Sequence, residues 1–215
     1  MIQFNRIYNE DCFETMSKMK DNFVDIVFTS PPYNRKRNDK YYFYNDNKQD
    51  YFNFLKKSII EFKRITKKYI FINIQKNYYN KKDIFKIIGE FSNDIFEVFI
   101  WEKSNPLPAS GFSITNSYEF ILCFSKELKS NKTYTKNHLT TSVNRMHKKH
   151  KAIMKQEVSD FFINNFSEKN DLIYDPFMGT GTTAISCIKK NRIYLGSEII
   201  KEYCVISKNR ILNES

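Results

Sequence analysis

The chain has 215 residues, of which 41% are hydrophobic and 16% aromatic, enough for one large domain with a real core and too apolar for a disordered chain. Lys and Arg number 35 against 24 Asp and Glu, and the net charge of +11 suits a polyanionic partner, although an AT-rich genome would also enrich Lys, Asn, Ile and Tyr. No run of about 18 apolar residues occurs, and the polar, acidic start MIQFNRIYNEDCFETM is unlike a secretory signal, so a cytoplasmic protein without a membrane span is expected.

In chain order, Val24–Thr29 (VDIVFT) is the first expected strand, apolar throughout apart from Asp25. The prolines of TSPPYN end it abruptly, since neither can donate to a sheet ladder. Residues 34–49, polar, basic and tyrosine-rich, are expected to form a loop. A helix over 51–66 follows, with Phe52, Leu55, Ile59, Phe62 and Ile65 on one face at spacings of three and four. Strands are expected at 69–74, 96–101, 118–124, 172–174 and 193–195, and helices at 82–91, 155–166 and 182–189. Such alternation implies an α/β fold with a mostly parallel sheet, in which ligands sit beyond the carboxyl ends of the strands. The segment 126–151 breaks the rhythm, carrying His138, His147 and His150 among many lysines and almost no apolar periodicity. It reads as a solvated or phosphate-facing surface, because no carboxylate or Cys stands at metal-ligand spacing from these histidines. Cys12, Cys123, Cys187 and Cys204 are scattered, as reduced thiols are, and no metal site is expected.

Only five glycines and five prolines are present, so their placement carries information. Pro176, Gly179 and Gly181 crowd into DPFMGTGTT, a strand end and glycine turn before a helix that opens at Thr182. The spacing meets neither GxGxxG nor a phosphate-cradling loop. Glu198, one strand later, is placed to accept hydrogen bonds from ribose hydroxyls. The pattern asks for a nucleoside-type ligand whose phosphates are absent or unimportant, a description that S-adenosylmethionine fits.

Together, TSPPY and DPFMGTGTT resemble the catalytic and cofactor motifs of the DNA amino-methyltransferases, which methylate the exocyclic amine of cytosine or adenine. The catalytic motif comes first, as in the beta, circularly permuted class. The likeness extends through NRIYNEDCFETMSKMKDNFVDIVFTSPPYN, WEKSNPLPASGFSITNSYEFILCFSK and HKAIMKQEVSDFFINNF, and so covers most of the chain. It implies a single Rossmann-like methyltransferase domain with a seven-stranded, mostly parallel sheet and helices on both faces. It also implies S-adenosylmethionine as cofactor, S-adenosylhomocysteine as product and DNA as substrate. A homodimer and a cognate restriction endonuclease are the further partners it admits. Carried over residue by residue, the cofactor site takes in Asp11, Cys12, Thr29, His150, Asp175, Pro176, Phe177, Gly179, Gly181, Thr182, Thr183 and Glu198. Lys151 and Lys155 stand where the family usually has prolines.

The catalytic set is Ser30, Pro31, Pro32 and Tyr33. A nucleobase amine is a poor nucleophile because its lone pair is delocalised into the ring. The Ser30 hydroxyl and the rigidly held Pro31 carbonyl offer two acceptors for its N–H bonds, and Tyr33 offers a flat face to an extruded base. Ring-carbon methylation would need a Pro-Cys nucleophile, and no cysteine follows a proline here. Asp25 belongs at the start of its strand, away from this chemistry. Ser before Pro-Pro-Tyr favours cytosine N4 over adenine N6. DNA contact falls to Arg35, Lys36 and Arg37 and to the short target-recognition-like segment 126–151, with Arg145, Lys148 and Lys149. An RNA or protein amide methyltransferase and a non-catalytic nucleic-acid-binding protein are the alternatives, the first disfavoured by motif order and the second by the intact motifs.

Overall fold

A computed structural model describes residues 2–35, 46–106, 114–125, 127–132, 134–142 and 154–214. Eight strands form one sheet: β1 (Arg6–Tyr8), β2 (Val24–Thr29), β3 (Thr66–Ile74), β4 (Ile95–Lys103), β5 (Tyr118–Phe124), β6 (His138–Thr141), β7 (Leu172–Asp175) and β8 (Ile193–Ser197). Their order across the sheet is β1-β8-β7-β2-β3-β5-β4-β6. Neighbours pair parallel except β5, which runs antiparallel to both β3 and β4. Among the described residues there are eight strands where the resemblance implies seven, and six of them stand at the positions expected from sequence. The two unexpected strands, β1 and β6, are three and four residues long, too short to show a period in sequence. β6 also lies within the basic segment that was expected to be irregular, and it pairs with β4 from Ile100↔His138 to Lys103↔Thr141.

Among the described residues six helices cover the two faces, and strand residues alternate between two cores. On one face, α1 (Cys12–Ser17), α2 (Tyr51–Ile65) and α3 (Lys81–Glu90) meet Ile70, Ile72, Leu122 and Tyr174. On the other, α4 (Gln156–Phe166), α5 (Thr182–Lys189) and α6 (Lys201–Leu212) meet Phe28, Phe71, Ile121 and Ile173. The stripe expected on α2 is there: Leu55, Ile59, Phe62 and Ile65 are buried and Phe52 packs at its edge. Asp50 caps this helix by accepting the Asn53 N–H at 3.1 Å. Phe162 of α4 holds the second core, with ring centroids 4.8 Å from Phe71, 5.1 Å from Phe99 and 5.4 Å from Phe28. Helices α1 and α6 lack a clear signal in sequence; α6 carries little amphipathic pattern and buries only Cys204 and Ser207. Turns that want a left-handed residue are filled mostly by asparagine in this glycine-poor chain, at Asn5, Asn22, Asn34, Asn170 and Asn191.

Candidate active site

Because β8, β7, β2 and β3 are parallel neighbours, their carboxyl ends fall side by side. β2 ends at Thr29 and β7 at Asp175, so chain positions 146 apart meet there. Thr29 Oγ1 donates to Asp175 Oδ1 at 2.6 Å. The second carboxylate oxygen accepts Thr183 Oγ1 at 2.6 Å, and the Phe177 N–H reaches Oδ1 at 3.0 Å. Burial pushes the Asp175 carboxyl up to about 6, against the three hydrogen bonds that favour its charge. This cluster ties the proline corner to the glycine bend.

The bend follows directly. Gly179 and Gly181 sit at φ +54° and +88°, where a side chain would be strained. At Gly179 a Cβ would meet nothing closer than 3.9 Å, which leaves space for a ligand to approach the backbone. At Gly181, which opens α5, a Cβ would stand 2.9 Å from that of Ser207, so this glycine serves the packing of α6. Glu198, just past β8, is buried, and its carboxylate accepts the N–H groups of Gly179 and Ile200, both at 2.8 Å. Desolvation raises its pKa. Asp11 caps α1 through the Phe13 N–H at 2.8 Å and lies past β1, which pairs with β8 from Arg6↔Leu195 to Tyr8↔Ser197. Burial pushes the Cys12 thiol up to about 12, leaving it a neutral wall residue. A left-handed glycine with free space, its N–H on the Glu198 carboxylate, fits a nucleoside-bearing ligand. Pro176 and Thr182 are buried in the bend, and Phe177 packs on Phe54 of α2 with centroids 5.8 Å apart.

The TSPPY corner is anchored from several sides. Tyr51 donates its hydroxyl to the Pro32 carbonyl at 2.7 Å, and Asn77 and Asn80 donate to the Tyr33 carbonyl at 2.8 and 2.7 Å. These bonds hold the two carbonyls that follow Pro31. Asn34, left-handed and buried, takes the chain away through bonds with Asp46 and Lys48. Ser30 Oγ lies 2.7 Å from the Tyr33 hydroxyl, which donates to Glu119 Oε2 at 2.9 Å. Burial, with the Glu119 charge beside it, holds the Tyr33 phenol well above its ordinary pKa. Tyr33 is thus less a bare platform than expected: its hydroxyl is engaged, and the Arg35 guanidinium lies over its ring, 5.2 Å from the centroid. Arg35 also donates to Gln75, so the first of the expected DNA contacts is part of the corner itself.

Lys36, Arg37, Arg145, Lys148, Lys149 and His150 lie outside the described residues. Asp25 is where it was expected, accepting the Leu172 N–H at 2.8 Å at the opposite end of the sheet. Trp101 is a packing residue, buried with its Nε1 on Thr141 Oγ1 at 2.9 Å. All four cysteines are free and buried. Asn73, Lys103 and Glu119 are among the residues at the site that were not anticipated. The signal available was a polar residue inside an apolar strand run, Asn73 in YIFINI and Glu119 in YEFILCF.

The model of a family described as "DNA methylase", the N6/N4 methyltransferases, matches residues 24–209. Type II methyltransferase M2.MboI of Moraxella bovis is 27% identical, over 95% of this chain and 86% of its own length. The solved PvuII DNA methyltransferase (cytosine-N4-specific) superposes with a TM-score of 0.80 at 19% identity, covering 100% of this chain and 95% of that one. The M1.HpyAVI–SAM complex gives 0.68 at 24% identity, over 95% and 98%. The chain belongs to the N6/N4 DNA methylase family and is an S-adenosylmethionine-dependent DNA methyltransferase.

Proposed function

We propose that the chain transfers the methyl group of S-adenosylmethionine to the exocyclic amine of a base extruded from DNA, cytosine N4 being the target, and that it does so as a single domain. The Thr29–Asp175 hydrogen bond of 2.6 Å carries this reading, because it fastens the amine-binding corner beside the cofactor bend. Asp11, Gly179 and Glu198 would hold the nucleoside of the cofactor, which supplies an electrophilic methyl on a sulfonium centre, and Gly181 shapes the bend against α6. The chain's own part is positional. Ser30 Oγ and the Pro31 carbonyl accept the two N–H bonds of the amine, favouring a pyramidal nitrogen whose lone pair faces the methyl. Pro31 fixes its own φ, and Tyr51, Asn77 and Asn80 hold the next two carbonyls, so the corner needs little reorganisation when the base arrives.

Cytosine is supported by Ser30 ahead of Pro-Pro-Tyr and by the cytosine-N4 specificity named for the PvuII enzyme. Arg35, Lys36, Arg37, Arg145, Lys148 and Lys149 supply phosphate contacts to DNA in this reading, and a homodimer with a cognate endonuclease is its fuller context. Among the described residues no helix is long and apolar enough to cross a membrane. Incubation with unmethylated DNA and S-adenosylmethionine, followed by single-molecule mapping of the modified base, tests the proposal. N4-methylcytosine in a short context is the expected product. N6-methyladenine alone would overturn the choice of base, and methyl transfer to RNA or protein but not DNA would overturn the reading itself.

A further inference from the structure

The reversed direction of β5 has a consequence at the site. Its first residues pair with the last of β3, Ile74↔Phe120 and Asn73↔Ile121, so Glu119 reaches the carboxyl ends of the parallel strands. There it is 4% exposed and pairs with Lys103 of β4, Nζ to Oε1 at 2.5 Å. A carboxylate held by an ammonium accepts hydrogen bonds and donates none. Its other oxygen takes the Tyr33 hydroxyl at 2.9 Å and Asn73 Nδ2 at 2.8 Å. Asn73 Nδ2 is also 2.8 Å from the Tyr33 hydroxyl, so its two hydrogens are accounted for. The opposite amide orientation would press its oxygen against the carboxylate.

Counting protons then settles the direction of the chain. Tyr33 has one, committed to Glu119. The 2.7 Å contact between Tyr33 and Ser30 must therefore use the serine proton, with Ser30 donating. Only lone pairs of Ser30 Oγ are left for the site, and Asn73 Nδ2, at 3.5 Å, scarcely engages them. We infer that Glu119, anchored by Lys103, is a positioning residue that acts through Tyr33 and Asn73 to make the Ser30 hydroxyl an obligate acceptor toward the base amine. The inference rests on the reading that Ser30 faces the amine. Burial and the Glu119 charge keep Tyr33 protonated at working pH, as the chain requires, against the Arg35 guanidinium above the ring.

Glu119→Gln tests it. Beside Lys103 the carboxamide turns its oxygen to the ammonium and its NH2 to Tyr33 and Asn73, so the acceptor that fixed the direction of the Tyr33 and Ser30 protons is gone and the serine proton is free to point into the site. Single-turnover transfer of tritiated methyl from S-adenosylmethionine to unmethylated plasmid DNA should slow on the order of tenfold to a hundredfold. Cofactor affinity by calorimetry should stay within about twofold, being set elsewhere, at the glycine bend. In a Ser30→Ala background the same substitution should cost less than about twofold, because the group it acts through is gone. Tyr33→Phe, which deletes one oxygen, should repeat this pattern and serves if thermal melting shows Glu119→Gln unfolded. Losses that multiply in the double variants, or that fall equally on cofactor affinity, would overturn the inference while leaving Ser30 in its role. A wild-type chain that methylates no DNA, or a fully active Ser30→Ala, would overturn the underlying reading and this inference with it.

Discussion

Asp175 is the knot between the two halves of the site, and its replacement by Asn makes a quantitative test. The carboxyl ordinarily titrates at 3.8 and is pushed up to about 6 in the fold, because desolvation outweighs bonds from Thr29, Thr183 and the Phe177 N–H. A group whose pKa is raised on folding contributes stability that is fully present below the unfolded value and lost as pH rises through the folded one. Holding Asp175 ionised at pH 7.5 therefore costs about 3 kcal/mol relative to the fully protonated state. Asn has nearly the same shape and no such titration. Its oxygen can keep the Thr29 and Phe177 bonds while its NH2 turns to Thr183, whose hydroxyl rotates to accept. Urea unfolding of both proteins from pH 4 to 7.5 should show the variant gaining on the parent by about 2 to 3 kcal/mol as pH rises, most of it between pH 4 and 6. Taking the difference cancels every other titrating group that the two proteins share. A difference flat in pH to within about 0.5 kcal/mol would refute the assignment, because a carboxyl that never changes its protonation in this window adds no slope.

Ser30→Ala should reduce turnover on the order of a hundredfold while leaving S-adenosylmethionine affinity nearly unchanged, read by methyl incorporation beside calorimetry. Glu198→Gln should do the reverse first, weakening cofactor binding on the order of tenfold, since a charged acceptor beside the glycine turn is lost. Gly181→Ala meets Ser207 at 2.9 Å with φ at +88° and should destabilise the fold by roughly 2 to 4 kcal/mol in urea unfolding. Phe162→Ala empties the centre of the second core and should cost about 3 to 5 kcal/mol in the same assay, without altering cofactor affinity in protein that remains folded.

Much of the architecture was legible because it rests on short-range pattern. The stripe on α2, the turn at DPFMGTGTT and the proline stop after Thr29 are all written within about fifteen consecutive residues, where periodicity and backbone restriction act. What escaped lacked such a pattern. β1 and β6 are too short to display a period of two, and α6 buries little of any face. Arg35 shows what local pattern leaves out: its guanidinium lies over the Tyr33 ring and donates to Gln75, and neither partner is specified by the residues around it in sequence.

The residues able to bind an amine and a nucleoside, and the order in which the chain presents them, follow from the amino-acid sequence itself. Their assembly into one site does not, because it depends on which strands become neighbours. Pairing of β2 with β7 puts Thr29 against Asp175. The single reversal at β5 carries Glu119 to Tyr33 and Asn73 to complete the hydrogen-bond chain. Side-chain chemistry is local to a residue, but a hydrogen bond between positions far apart exists only once the sheet has set their distance and direction.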